Sequence, residues 1–327
     1  MEENMAETNY FYNKKVLITG ANGFIGSHLV RKMVNELANV SIIVRGSSDL
    51  WRIEELKKDI DIHRIDLRDS VSVDNCVKQI KPEYIFHVGA YGVDSRQKDY
   101  FTAANTNIIG TMNLLNPLKD VGCKKIINIG TCMEYGDKKE MIKENSHLEP
   151  DSIYGSTKAS ASIIAHQMAA ENNIDIVTLR PFGVFGEKEG SHKFFPYIIL
   201  SLLENKEVNL TPCEQYRDYC YIDNIVDGFV LAAQNETIKN EIFNIGSGSI
   251  YNLKYYVDMI YQGMSINKKP NFGALSYRKN EVWNQQPDTT KIKNLLKWEP
   301  KINLRDGIER TIDWYKRNQD KFIRTGR

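Results

Sequence analysis

Short apolar runs that alternate with amphipathic segments dominate the first half of the chain. We predict strands from these runs at Lys15–Thr19, Val40–Val44, Tyr84–Val88, Lys125–Ile129 and Asp175–Leu179. The segment after the first run carries apolar residues at helical spacing, namely Ile25, Leu29, Val30, Met33, Val34 and Leu37. Strands that alternate with helices predict right-handed βαβ units, and therefore an α/β fold with a doubly wound parallel sheet. Ligands of such sheets bind at the carboxyl ends of the strands.

After Pro181 this alternation gives way to short strands and polar loops. Two further helices are predicted there, near Phe195–Glu204 and Tyr255–Met264. We therefore expect the parallel-sheet domain over residues 13–180 and a smaller α/β substrate-binding region over residues 181–327. No Pro-, Gly- or Ser-rich linker separates the two regions, so they are expected to pack intimately against each other.

The composition narrows the class of protein. The 327 residues have a formal net charge of +1, which gives no reason to expect a nucleic acid or a membrane as partner. The five cysteines are odd in number and form no Cys-x-x-Cys pair, so we expect no disulfide framework, no metal site and a cytoplasmic location. Met1–Tyr12 is polar and lacks an apolar core, which predicts a loose tail rather than a signal peptide.

A glycine-rich turn follows the first predicted strand and opens the first predicted helix. Gly20 permits a tight turn, Gly23 lets backbone N–H groups approach a pyrophosphate, and Gly26 lets the helix lie close to the strand. The helix N-terminus would then offer its unpaired N–H groups to the phosphates. This context predicts a dinucleotide site, the alternative being an ordinary turn between a strand and a helix.

The residues after the second predicted strand bear on which dinucleotide is bound. An NAD site usually places an acidic residue there, whereas this chain has Arg45, Ser47 and Ser48. A guanidinium binds a phosphate in bidentate fashion, so the pattern favours NADP(H), with NAD as the alternative if Arg45 is a solvated loop residue. Asp66 either accepts from the adenine amino group or is a structural loop residue.

A second motif, Tyr154-Gly-Ser-Thr-Lys158, points to proton transfer. The four-residue spacing places Tyr154 and Lys158 on one face of a helix. A neighbouring ammonium is expected to lower the pKa of the phenol, which then exchanges a proton with an alcohol or ketone. Thr131 follows the fourth predicted strand, where its hydroxyl is expected to bind the reacting oxygen.

These motifs together resemble the extended short-chain dehydrogenase/reductases of the NAD(P)-dependent epimerase/dehydratase family, which act on nucleotide sugars. The resemblance runs from about Lys14 to Pro300. Besides the motifs above, it rests on Asp66-Leu67, His87-Val88-Gly89-Ala90, Asn107-Ile-Ile-Gly-Thr111, Arg180-Pro-Phe-Gly-Val-Phe-Gly186, Arg217-Asp-Tyr-Cys-Tyr-Ile-Asp-Asn224, Phe243-Asn-Ile-Gly246 and Leu296-x-Trp298-x-Pro300.

The resemblance implies a Rossmann fold and specific roles for several residues. Thr131, Tyr154 and Lys158 correspond to the catalytic triad, and Lys158 also holds the nicotinamide ribose. The implied cofactor-binding set is Gly20, Gly23, Phe24, Ile25, Gly26, Arg45, Ser47, Asp66, Leu67, Ala90, Asn107, Tyr154, Lys158 and Pro181. The family also implies a homodimer formed by helices near Asn107–Leu118 and Tyr154–Ala170, the alternative being that these apolar faces only cover the sheet.

Departures from the family pattern narrow the reaction. Cys132 and Met133 stand where the family's 4,6-dehydratases carry an acid/base pair, so dehydration is disfavoured. Gly183 replaces an Asn that contacts the substrate diphosphate in relatives. The stretch Leu210–Tyr219 resembles the corresponding segment of sugar 4-ketoreductases more than the turn of many epimerases.

The substrate-side residues are inferred from charge and family position. The candidates that we expect to contact the substrate are Tyr91, Cys132, Arg217 and Arg278. An arginine pairs well with a diphosphate, although each of the two is also compatible with an ordinary surface role. His87, Asp218 and Asp223 are interpreted as structural. Glu134 lies near Thr131, and the sequence leaves open whether its side chain points to solvent.

The sequence therefore predicts an NADPH-dependent ketoreductase acting on a nucleotide-linked keto sugar, with a 4-keto-6-deoxyhexose as the favoured substrate. Arg45 supports a net reductase because such an enzyme takes up fresh NADPH in each turnover. The first alternative is a nucleotide-sugar 4-epimerase that retains NAD. The second is a non-catalytic dinucleotide sensor, which the presence of both Tyr154 and Lys158 disfavours.

Overall fold

The computed structural model describes residues 9–94, 96–279 and 281–323, and strands alternate with helices along most of it. The strands are β1 (Lys15–Thr19), β2 (Asn39–Val44), β3 (Ile60–Arg64), β4 (Tyr84–His87), β5 (Lys125–Ile129), β6 (Asp175–Pro181), β7 (Gly183–Phe185), β8 (Asn209–Leu210), β9 (Tyr216–Tyr221), β10 (Glu241–Ile245), β11 (Ile250–Asn252), β12 (Asn271–Phe272) and β13 (Asn284–Gln285).

The helices connect these strands and cover the central sheet. They are α1 (Phe24–Asn35), α2 (Ser70–Ile80), α3 (Tyr100–Ala104), α4 (Gly110–Leu115), α5 (Leu118–Val121), α6 (Ile153–Glu171), α7 (Phe194–Leu203), α8 (Ile222–Gln234), α9 (Leu253–Gly263), α10 (Thr290–Leu296) and α11 (Leu304–Ile323). A π-helical turn, Asn105–Ile109, joins α3 to α4, and short 3-10 helices lie at Trp51–Leu56 and Cys132–Glu134. None of the described helices is long and apolar enough to cross a membrane.

The central sheet has seven strands in the order β10-β6-β5-β4-β1-β2-β3, and each neighbouring pair is parallel. The chain winds outward from β1 in both directions, so the order reverses between β1 and β4. Successive residues of β1 enter different apolar clusters: Val16 and Ile18 pack on the α1 and α8 side, and Leu17 packs on the α2 and α6 side. The predicted doubly wound parallel sheet is confirmed.

Two strands of this sheet were not predicted from the sequence. In β3 (Ile60–Arg64) only Ile60 is buried, because this strand lies at the edge of the sheet and therefore lacks a strong apolar run. The other edge strand, β10, comes from beyond residue 181 and pairs with β6. The sheet thus crosses the expected boundary at residue 180, and the division into two functional regions stays a prediction.

The expectation of a loose N-terminal tail is wrong for Tyr10 and Phe11. Phe11 is completely buried, with its ring centroid 5.2 Å from that of Tyr84 and 6.3 Å from that of Phe86. The Tyr10 hydroxyl lies 2.9 Å from the Tyr84 hydroxyl. Burial of this aromatic surface next to β4 outweighs the polar character of the surrounding sequence. The earlier part of the tail lies outside the described residues.

A second, smaller sheet lies beside the carboxyl ends of the central strands. Strand β9 is its centre and pairs with β7, β11 and β13. Helix α7 packs against it through Phe195, whose ring centroid lies 4.9 Å from that of Tyr219. The chain passes from the central sheet to the smaller one at the end of β6, where Pro181 is followed by β7.

A buried lysine ties the central sheet to the end of α8. Lys125 is 3 % exposed, and its ammonium donates hydrogen bonds to the carbonyl oxygens of Ala232, Asn235 and Ile238. These carbonyls belong to the last turn of α8 and to the loop after it, where the helix itself supplies no donors. The ammonium therefore caps the helix from inside the protein.

We expect Lys125→Met to lower the free energy of unfolding by about 3 kcal/mol, because it leaves buried carbonyls without donors. Urea denaturation followed by circular dichroism measures the change. Lys124→Met is the matched control, because Lys124 is largely exposed and pairs with Glu83 at the surface. Its expected effect is below about 0.5 kcal/mol, and equal losses in the two variants would contradict the capping role.

Candidate active site

The glycine-rich turn after β1 requires glycine at two positions for steric reasons. Gly20 has a φ of +65°, and a Cβ there would lie 2.6 Å from the backbone of Gly89 at the end of β4. A Cβ at Gly26 would overlap the carbonyl oxygen of Gly20. The backbone of the turn therefore lies against both its neighbouring strand and its own helix.

Helix α1 begins directly after this turn, at the carboxyl edge of the sheet. Its N-cap is Gly23, in extended conformation and without a side-chain cap, and its first residues are Phe24 and Ile25. The N–H groups of a first helical turn have no partner within the helix and bind anions well. With no side-chain cap at Gly23, these N–H groups fit a dinucleotide pyrophosphate.

An open cleft of about 560 Å³ begins at this turn. Among its lining residues are Gly20, Arg45, Ser48, Asp66, Leu67, Ala90 and Tyr91. Arg45 is exposed at the end of β2, and Ser48 rather than the predicted Ser47 lines the cleft. The Asp66 carboxylate accepts from Arg68 Nε at 2.9 Å and from a terminal nitrogen at 2.7 Å, which lowers its pKa. Arg68 therefore already occupies this carboxylate, and the choice between an adenine contact and a structural role for Asp66 stays a prediction.

Arg52 is a candidate that sequence reasoning missed. Its guanidinium donates to the Asn22 carbonyl of the glycine-rich turn at 3.2 Å and to the Lys188 carbonyl at 2.7 Å. It thereby joins the cofactor turn to the loop between β7 and α7. The sequence carries no signal for this role, because Arg52 lies 30 residues from Asn22 and belongs to no motif.

His87 is structural, as the sequence analysis interpreted it. The Thr111 hydroxyl donates to the Asn107 carbonyl and therefore accepts from His87 Nε2 at 2.9 Å. His87 Nδ1 in turn accepts from Thr19 Oγ1 at 2.7 Å. Burial lowers the pKa of His87 to about 3, so the ring stays neutral and locks β4 to β1 and to α4.

Asn107 holds the backbone of Tyr91 at the cleft. Its side-chain oxygen accepts from the Tyr91 N–H at 2.8 Å, and its amide donates to the Tyr91 carbonyl and to Thr157 Oγ1, both at 2.9 Å. Because its amide group is used in this way, Asn107 positions the strand end rather than presenting its amide to a ligand. A role for Asn107 in cofactor binding is therefore indirect.

Three elements bring the predicted catalytic residues together. Thr131 follows β5 and caps the 3-10 helix Cys132–Glu134, and Tyr154 and Lys158 lie in the first turns of α6. A Cβ at Gly155 would overlap the Met133 carbonyl, so only glycine lets α6 approach this 3-10 helix so closely. Tyr154 also packs under Gly92, whose added Cβ would lie 3.2 Å from the tyrosine Cβ.

The expectation that Lys158 lowers the pKa of Tyr154 is wrong for this structure. Burial raises the pKa of Tyr154 well above its ordinary value, the charge of Glu134 and the neighbouring Cys132 raise it further, and Thr131 lowers it. Burial lowers the pKa of Lys158 to about 8. Desolvation is the largest influence on Tyr154, so the phenol is held in its proton-donating form.

Glu134 does not point to solvent. It is completely buried, and its carboxylate accepts from Arg180 Nε at 2.8 Å and from the Thr131 N–H at 2.9 Å. The sequence analysis did not indicate that Glu134 and Arg180 pair, because 46 residues separate them.

The substrate-side candidates differ in their surroundings. Arg217 binds Glu281 at 3.1 Å and the Val282 carbonyl, whereas Arg278 is exposed. Cys132 is buried in a small apolar cluster, where burial raises the pKa of its thiol to about 12. Position 183 requires glycine for a structural reason, because a Cβ there would lie 2.6 Å from the Tyr219 ring. The family's Asn therefore has no room at this position.

The sequence of this chain matches the model of a known protein family. The model of the NAD dependent epimerase/dehydratase family matches residues 16–246, which is more than half of the chain. The chain belongs to this family. A UDP-glucuronate 4-epimerase of Thermodesulfobacterium geofontis is 27% identical over 314 residues, covering 92% of this chain and 96% of that protein. The resemblance stated from the sequence is thus confirmed.

Solved structures of the family agree with the fold. The UDP-glucose 4-epimerase of Thermotoga maritima with UDP-glucose has a TM-score of 0.87 and 28% identity, covering 93% of this chain and 99% of that one. MoeE5 in complex with UDP-glucuronic acid and NAD has a TM-score of 0.83 and 26% identity, with the same coverage. Both complexes hold nucleotide sugars.

Proposed function

We propose that this family member is an NADPH-dependent reductase of a nucleotide-linked 4-keto-6-deoxy sugar. The observation that carries the proposal is the chemistry at the end of β2, where an exposed arginine, Arg45, lines the cleft. NAD-binding sheets of this type place an acidic residue there for the ribose hydroxyls. A guanidinium at this point instead pairs with a 2′-phosphate, and a cofactor consumed in each turnover suits a net reduction.

When bound, NADPH would supply the hydride for the carbonyl carbon of the sugar, and side chains of this protein would supply the proton. Tyr154 donates its proton to the carbonyl oxygen, since burial keeps its phenol protonated. Thr131 orients that oxygen through its hydroxyl. Lys158 holds the cofactor ribose and stabilises the phenolate that remains after proton transfer. Pro181 is buried at the carboxyl end of β6 and borders the same edge of the sheet.

The site lacks the groups for dehydration. Cys132 is a neutral buried thiol, and the Met133 sulfur accepts from Gln285 at 3.4 Å. Neither side chain exchanges a proton with a sugar carbon or hydroxyl at neutral pH. Arg217 and Arg278 are the proposed diphosphate contacts, with Tyr91 and Cys132 on the sugar side. Occupation by a diphosphate would require Arg217 to exchange part of its pairing with Glu281 for the ligand.

The second candidate function is a 4-epimerase that retains NAD. It is favoured by the two relatives described above that are named 4-epimerases, each similar to almost the full length of this chain. A reductase and an epimerase use the same residues and differ in whether the cofactor leaves. In either case a reducing cytoplasm is the proposed location, since all five cysteines are free thiols.

We also propose that the protein is a homodimer. Apolar side chains are exposed along α3, the π-helical turn, α4 and α6, namely Tyr100, Phe101, Ile109, Met112, Ile153 and Ile163. Phe101 is 80% exposed. An apolar surface of this extent on adjacent helices is typical of a subunit interface, and a twofold axis would pair the patch with its own copy.

The dimer is tested by Phe101→Glu, which places a charge in the proposed interface. We expect size-exclusion chromatography with light scattering to give the mass of one chain for this variant and of two chains for the parent. Val71→Glu is the matched control, because Val71 is another strongly exposed apolar residue, on α2 and away from the patch. A parent of monomeric mass would contradict the proposal.

Arg45→Asp tests the choice of cofactor. Loss of a charge-assisted contact to a 2′-phosphate is expected to weaken NADPH binding by about tenfold or more, and the new carboxylate should strengthen NADH binding. Quenching of protein fluorescence measures both affinities. Arg317→Asp on α11 is the control. If the parent binds NADH more tightly than NADPH, the assignment of Arg45 is wrong.

Tyr154→Phe tests the reaction. A panel of nucleotide-linked 4-keto-6-deoxy sugars is offered to the parent with NADPH, and the product configuration is determined by NMR. We expect the variant to lose about 10²- to 10⁴-fold in kcat while NADPH affinity is unchanged. Tyr255→Phe on α9 is the control with full activity. Interconversion of two sugars without added cofactor would instead establish the epimerase.

A further inference from the structure

A buried ion pair lies directly beneath the catalytic residues. The Glu134 side chain is 0% exposed and that of Arg180 is 3% exposed, and their closest N–O distance is 2.8 Å. Burial of two charges costs much of what their attraction returns, so such a pair contributes little to stability compared with apolar residues. Its position next to Thr131 therefore calls for another explanation.

The carboxylate of Glu134 joins the two elements that carry the catalytic groups. One oxygen, Oε1, accepts from the backbone N–H of Thr131 at 2.9 Å and from the Ser162 hydroxyl at 3.4 Å. Ser162 lies one helical turn beyond Lys158 on α6. The same oxygen thus fixes the end of β5 that presents Thr131 and contacts the helix that presents Lys158.

Further hydrogen bonds hold the Arg180 side chain of this ion pair in place. Arg180 donates from a terminal nitrogen to the Tyr135 hydroxyl at 2.8 Å, and that hydroxyl donates to Asn244 at 2.8 Å. Gly130 leaves the space that the pair occupies, because a Cβ there would lie 2.7 Å from both Arg180 Cγ and Glu134 Oε1. Glycine at position 130 therefore leaves room for the side chains of Glu134 and Arg180.

We propose that Glu134, clamped by Arg180, is a positioning residue that fixes Thr131 and presents a buried negative charge to the Tyr154–Lys158 pair. The proposal deepens the proposed function and rests on it, because it assigns the counter-charge of the proton-transfer machinery. Glu134 itself touches neither substrate nor cofactor in this role. It acts through Thr131, Tyr154 and Lys158.

The charges around Tyr154 and Lys158 determine in which direction removal of the Glu134 charge shifts their pKa values. Lys158 faces the Glu134 carboxylate and the neutral His87 ring. Burial lowers the pKa of Lys158, and the charge of Glu134 raises it. Tyr154 faces Glu134 and Cys132, which raise its pKa, and Thr131, which lowers it. Removal of the Glu134 charge therefore lowers both pKa values. Reduction needs a protonated phenol and an ammonium, so activity would be lost at a lower pH.

Glu134→Gln removes the charge and retains an oxygen that accepts from the Thr131 N–H. We expect the alkaline limb of kcat/KM to move to lower pH than in the parent by about one pH unit. Glu83→Gln is the matched control, because it removes a carboxylate paired with Lys124 at the opposite end of β4. Its limb should coincide with that of the parent.

Two further variants keep the test decisive if Glu134→Gln does not fold. Glu134→Asp retains the charge but shortens the side chain, so kcat should fall through loss of the Thr131 contact while the alkaline limb stays in place. The double variant Glu134→Gln/Arg180→Met removes both charges and avoids an unpaired guanidinium. It should fold and still show the lowered limb, since Glu134 and not Arg180 faces Lys158.

Two measurements without turnover separate this proposal from the proposed function. Fluorescence titration of NADPH over pH should show that binding by the charge-removing variants weakens at a lower pH than binding by the parent, because Lys158 holds the ribose. Hydrogen exchange of the peptide that contains Thr131 should accelerate in Glu134→Asp. Parent-like binding profiles and exchange in all folded variants would overturn the role of Glu134, whichever sugar reaction the enzyme catalyses.

Discussion

The close approach of backbone to backbone at the end of β1 is the constraint on which this structure depends. A Cβ at Gly20 would overlap the backbone of Gly89, just after the neighbouring strand β4, and one at Gly26 would overlap the carbonyl of Gly20. No side chain separates β1, β4 and α1 at this point, so the first turn of α1 opens at the carboxyl edge of the sheet. The cleft, the cofactor turn and the strand ends that carry Tyr91 and Thr131 all take their positions from it.

The catalytic edge is built from polar groups that are buried and nonetheless paired. His87 bridges Thr19 and Thr111 in its neutral form, and Glu134 bridges Arg180 and Thr131. Buried polar groups with satisfied partners hold a single geometry, because any shift would leave one of them unpaired. The proposed catalytic side chains Tyr154 and Lys158 thus stand on a rigid support, while the cleft itself is open to solvent.

Much of the fold and of the site was predictable because it depends on local pattern. The strands that end near Thr19, Ile129 and Pro181 are apolar runs buried on both faces, and such runs stand out in a sequence. Edge strands β3 and β10 were missed because they need less apolar sequence. The ionisation of Tyr154 was predicted with the wrong sign, since spacing reveals the neighbouring Lys158 but not the depth of burial.

The sequence by itself determined the parallel sheet, the glycine turn and the placement of Tyr154 and Lys158 on one helix. Each of these features depends on residues that are close together along the chain. Only the tertiary structure decided that Glu134 meets Arg180, that Arg52 reaches the Asn22 carbonyl, and that the Tyr219 ring excludes a side chain at Gly183. These contacts join residues far apart in the chain, and their energies depend on burial, which exists only once the sheets and helices have packed.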